Sequence, residues 1–169
     1  MPKIAKEVIA QIAVEMNDIT DEQAVELAGL LRAKQPAVLQ YLLSIGEGAF
    51  NEEERRWFLY LGISIWKMFS TIAPEAGLRR IEAAEFDKKA AASLELVKYL
   101  KNGENAELAP AFVATIETAP QSDILKYLLY ALSSENGKKE KAGKSASILM
   151  FFFLKILVEC LDGAIPEPA

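Results

Sequence analysis

Few residues in this chain are equipped to do chemistry, and histidine is not among them, for its count is zero. The side chain whose unperturbed pKa lies nearest neutrality, and the commonest metal ligand, is therefore missing. Histidine-based triads, zincin helices and the Glu-x-x-His di-iron bundle are excluded. Carboxylates remain, most densely at Glu52, Glu53 and Glu54. Consecutive residues fan around a helix instead of converging on one ion, so this run reads as negative charge at a helix start, where unsatisfied amides favour it. No metal or cofactor site is predicted.

Cys160 is the single cysteine, so no intrachain disulfide can form. With no histidine to act as its base, and a place near the end of an apolar helix, it reads as a buried structural thiol. Gly46 and Gly48 have neither a following Gly-Lys-Ser/Thr nor a preceding strand, which rules out a phosphate loop and a dinucleotide fingerprint. Lys138, Lys139, Lys141 and Lys144 around Glu140 are the one local concentration of charge. No aromatic residues interleave for stacking on bases, so they read as a solvated loop between helices. No catalytic residue is assigned, and the chain is expected not to be an enzyme.

The elements that would position these residues are helical. Apolar residues recur at three and four, and nothing alternates over a strand's length, which makes the class all-α. Eight helices are expected. The first runs from about Pro2 to Met16 with Ile4, Val8 and Ile12 on its apolar stripe. Thr20 and Gln23 form a capping box that opens the second, whose buried face is Val25, Leu27, Leu30 and Leu31. Pro36 ends that helix and begins a third, to Ile45, which Gly46 and Gly48 terminate. Asn51 and Glu54 cap a fourth, about Glu52 to Ile72. The fifth spans Glu75 to Leu100 and stops at Asn102–Gly103, and the sixth spans about Ala106 to Thr118. Ser122 caps the seventh, Asp123 to Ser134, which Asn136–Gly137 terminates; the eighth, Ser145 to Leu161, ends at Gly163 before a fraying tail, Ile165 to Ala169.

The second half resembles the first. A shift of 86 places Ala28, Ala33, Gln35, Leu39, Tyr41, Leu42 and Leu43 on Ala114, Ala119, Gln121, Leu125, Tyr127, Leu128 and Leu129. A shift of 88 places Lys67 on Lys155. The expectation is a compact bundle of two pseudo-repeated four-helix halves, about residues 2–73 and 86–161, with the fourth and eighth helices at its centre. Both are apolar all round. Trp57, Tyr60, Trp66 and Phe69 crowd one and Phe151 and Phe152 the other. Most of this must be core, but two such helices are hard to cover completely, so these residues with Tyr41 and Tyr127 are the candidates for an interface or pocket.

Composition bounds the partners. At 169 residues one domain, 1–169, can bury a real core, and with 51% hydrophobic against 25% charged residues it should fold alone. The net charge of −5 is shared evenly, 9 basic against 12 acidic residues through Ala84 and 10 against 12 beyond, so no basic face argues for nucleic acid. Met1 to Ala10 lack the continuous apolar core of a signal peptide. The longest apolar run, Ile148 to Leu154, is far short of the ~20 residues that span a bilayer. The expectation is a soluble, cytoplasmic module that binds a protein partner or itself, as a homodimer, with no membrane or nucleic-acid role. A sensor or carrier with an apolar small molecule between the fourth and eighth helices is the alternative.

Overall fold

A computed structural model describes residues 3–74, 77–102, 114, 116–133 and 144–166, and all regular structure among them is helical. In chain order the helices are α1 (Lys6–Asn17), α2 (Asp21–Lys34), α3 (Pro36–Ala49), α4 (Glu52–Ile72), α5 (Ala83–Asn102), α6 (Ser122–Leu132) and α7 (Lys144–Gly163). The expected sixth helix falls mostly outside the described residues, as do Gly103, Asn136, Gly137 and the lysine run from Lys138 to Lys141. No described helix is long and apolar enough to cross a membrane.

Local chemistry sets several boundaries as the sequence predicts. The Thr20 hydroxyl accepts from the Gln23 N–H at 3.1 Å while the Gln23 amide oxygen accepts from the Thr20 N–H at 3.0 Å, satisfying two donors left open by the helix start. Asn51 and Glu54 close the same box at α4, at 2.9 and 3.0 Å. Pro36 occupies the first turn of α3, where its missing N–H costs nothing.

Other boundaries move because a distant group claims the backbone. α1 starts at Lys6, not Pro2: Ala5 is extended, and the Ile4 N–H donates to Gln121 Oε1 at 3.0 Å instead of entering a helix. α5 starts at Ala83, not Glu75. The Ile81 N–H donates to Gln35 Oε1 at 2.9 Å, and Gln35 Nε2 donates to the Arg79 carbonyl at 2.9 Å, holding the approach to α5 as a strap. Ser122 is the first residue of α6 and not its cap. Gln121 stands at the cap position with its side chain turned to Ile4 and, at 2.8 Å, to Asp162.

Gly46 and Gly48 do not stop α3, which continues to Ala49. Gly46 instead admits a neighbour, since a Cβ there would lie 3.2 Å from Arg55 Cγ. The tail is also more ordered than expected at its beginning: Ala164 and Ile165 are buried, and the Ala164 carbonyl accepts from the Arg79 N–H at 2.8 Å.

α4 is the centre of the core, with Leu61 through Trp66 buried without interruption. It packs against α1, α3 and α7, while α7 also carries α5 and α6. Burial right round this stretch matches its nearly unbroken apolar sequence. The one buried hydroxyl there, Ser64, donates to the Tyr60 carbonyl one turn back at 2.8 Å. α2 is the opposite case. Of its expected buried face only Leu31 is buried, while Leu27 is half-buried, Leu30 is 45% exposed and Val25 is 73% exposed. Its apolar residues at 25, 27, 28, 30 and 31 spread over more than half of the circumference at 3.6 residues per turn, and α3 and α4 cover only part of that arc.

Candidate docking groove

The incomplete cover of α2 opens a groove of about 640 Å³ between α1, α2 and one residue of α4. The turn through Asp18 and Ile19 leads from α1 to the Thr20 capping box that opens α2, and residues of both helices line the groove. Val14, Ile19, Leu27 and Leu30 supply its apolar lining, and Val14 is 63% exposed. Glu15, Asp18, Gln23 and Glu26 supply the polar rim, and Lys67 reaches in from α4.

Lys67 Nζ lies 3.0 Å from Glu15 Oε2, tying α4 to α1. A hydrogen bond from Gln11, then the Lys67 ammonium, hold the Glu15 carboxyl below its ordinary range. Lys67 is thus already matched, and Asp18 and Glu26 have no ion-pair partner among the described residues. The groove is apolar within and negative at its edge. An open, two-sided trough of this kind suits a segment of polypeptide better than a small molecule, which binding sites normally enclose over most of its surface.

The residues singled out from sequence fall elsewhere and do not form one site. Trp66, Phe69, Phe151 and Phe152 are buried core residues. α4 and α7 pack directly, with Phe58 and Phe153 edge to face at 6.5 Å. The Tyr41 ring stacks on Phe86 of α5 at 4.2 Å, and its hydroxyl donates to the Phe153 carbonyl at 2.7 Å. Burial, with the Cys160 thiol beside it, pushes that hydroxyl's pKa up. On another side Trp57 and Tyr60 stack at 5.3 Å. Burial and then the Tyr60 hydroxyl push Tyr127 up to about 12, so Trp57, Tyr60 and Tyr127 are gathered as one half-buried aromatic group. The groove residues were not among the candidates; the signal that marks them is the width of α2's apolar arc, too broad for the buried face that Val25, Leu27, Leu30 and Leu31 were expected to form.

The groups with intrinsic reactivity are engaged structurally. Cys160 is buried, and burial raises its thiol to about 11, with the Glu85 carboxylate adding to the effect. Glu54 caps α4, and Glu52 pairs with Arg56 at 2.7 Å. Among the described residues no three histidine, cysteine, aspartate or glutamate side chains converge to hold a metal ion. In comparisons with protein-family models, characterised proteins and solved structures, none matches this chain.

Proposed function

We propose that this chain is a non-enzymatic helical interaction module, built from two pseudo-repeated halves, that docks a polypeptide in the α1–α2 groove. The observation that carries the docking reading is the unspent apolar surface there. Val14 and Leu30 stay exposed and line one groove with Ile19 and Leu27, whereas Val25, Leu43, Tyr130 and Ile148, the other exposed large apolar residues among those described, are not part of its lining. Single exposed apolar side chains need no explanation, but a lined trough does. The lone, buried cysteine suits a reducing, cytoplasmic setting.

A pair of glutamine clasps supports the two-half reading. Gln35 and Gln121, matched by the shift of 86, are both buried and both stand just before a helix. Each Oε1 accepts from the backbone N–H of an isoleucine that precedes the first helix of the opposite half: Ile81 before α5 and Ile4 before α1. Each Nε2 donates to an oxygen, the Arg79 carbonyl in one case and an Asp162 carboxylate oxygen in the other. Exchange of partners between halves is what rotation about a two-fold axis produces. The correspondence stops short of Lys67 and Lys155, for the first reaches Glu15 on α1 while the second pairs with Glu159 in its own helix at 2.6 Å.

A photo-crosslinking residue at position 30 of the full chain, activated in cells and read by mass spectrometry, tests the function. A polypeptide adduct lost when Val14→Asp is added supports docking, and an adduct of twice the chain's mass makes the module self-associating. No polypeptide adduct, together with a small apolar molecule co-purifying with the chain, transfers the function to a carrier.

A further inference from the structure

We infer that the occupant of the α1–α2 groove is a basic amphipathic helix of another protein, an inference that rests on the docking reading above. The groove runs along α2 from Gln23 to Leu30, seven rises of ~1.5 Å, or two helical turns. That length accepts the i, i+3/i+4, i+7 anchors of one helix, with Val14, Leu27 and Leu30 in the apolar lining that would receive them.

Charge chooses among helices. The groove edge carries Glu15, Asp18 and Glu26 against Lys67 alone, and Lys67 is consumed by Glu15. Arg32 and Lys34, the only basic residues of α2, stand in its last turn, outside the groove. Glu22 and Glu26 are one turn apart on α2, a like-charge spacing that costs stability until a cation lies between them. A partner with Lys or Arg flanking its apolar stripe relieves that repulsion and pairs with Asp18 and Glu26. An acidic helix would add to it. A second copy is disfavoured on the same ground, because each chain carries a net charge of −5.

The probe is a fluorescein-labelled peptide of about 18 residues containing only leucine and lysine in a helical amphipathic pattern, long enough to be helical when bound. Its counterpart replaces lysine with glutamate. Anisotropy with the full chain at physiological salt is compared for wild type, Leu30→Asp, the pair Asp18→Lys with Glu26→Lys, and a control pair, Glu47→Lys with Glu117→Lys, which changes net charge equally but does not line the groove. All five positions are exposed, so thermal melts should confirm that the variants fold. The leucine–lysine peptide should bind, weaken by about tenfold or more with Leu30→Asp and with the groove reversal, and stay within about twofold in the control. Equal weakening by both charge pairs reduces the binding to general attraction and overturns the inference. Binding of the glutamate peptide with the same Leu30 dependence also overturns it, while leaving groove docking intact. If neither peptide binds the inference fails, and the crosslink at position 30 still decides docking on its own.

Discussion

Cys160 shows how burial turns a reactive group into a packing group. With its pKa moved from the ordinary 9.0 to about 11, the folded thiol is protonated at neutral pH, and a maleimide or disulfide reagent should label it slowly until denaturant is added. Rapid labelling of the folded protein at neutral pH would place the thiol in an exposed site. The same shift carries a sign for stability. An unfolded chain ionises this thiol near 9.0 and the folded one only near 11, so its contribution is complete below pH 9.0 and is lost as pH rises through about 11. Alkaline melts should therefore show a decline over that window, and Cys160→Ala should make it shallower, the part left coming from the raised Tyr41 and Tyr127 hydroxyls. Trp66, 2% exposed, should cost about 3–5 kcal/mol when changed to alanine. Gln35→Ala should cost about 1–3 kcal/mol, because the Ile81 N–H would be left buried without an acceptor. Denaturant unfolding measures both, and losses under about 1 kcal/mol would contradict the burial assigned to each.

Helices differ in how much of their stability comes from neighbours, and two glycines expose the difference. Gly29 in the middle of α2 has no atom within 4 Å of where a Cβ would stand. Gly29→Ala should stabilise by about 1 kcal/mol through helix propensity alone. Gly62 in α4 gains the same propensity, but its added Cβ would lie 2.5 Å from Leu42 Cδ2. Leu42 is 1% exposed and cannot simply swing away, so overpacking of about 1–3 kcal/mol should outweigh the gain. Melting temperatures that rise for both variants would mean α3 can retreat from α4. The caps of α2 and α4 were legible in advance because capping is chemistry within four residues. The starts of α1 and α5 were not, because Gln121 and Gln35, more than forty residues away, claim the Ile4 and Ile81 N–H groups before those helices begin.

The clasp at Gln121 ties the segment before α1 to the end of α7, so both should open as one unit with the core. Ile4 is the second described residue, yet its amide is buried on Gln121, which in turn holds Asp162 at the end of α7. Hydrogen exchange should show the Ile4 and Ile81 amides opening only with the core, and exchange at the rate of a frayed terminus would refute the clasp at that end. All-helical class, caps and the apolar centre followed from the order of residues alone, since periodicity, Thr20, Asn51 and Pro36 act over one or two turns. The candidate site did not. Packing that no local pattern encodes sets Tyr41 against Phe86 and gathers Trp57, Tyr60 and Tyr127 elsewhere. Which side of α2 remains bare depends on how far α1, α3 and α4 reach around it, a property of the assembled helices. Gln35 and Gln121 carry both lessons: their spacing of 86 is written in the sequence, but that one holds the Ile81 N–H and the other the Ile4 N–H emerges only when the chain is folded.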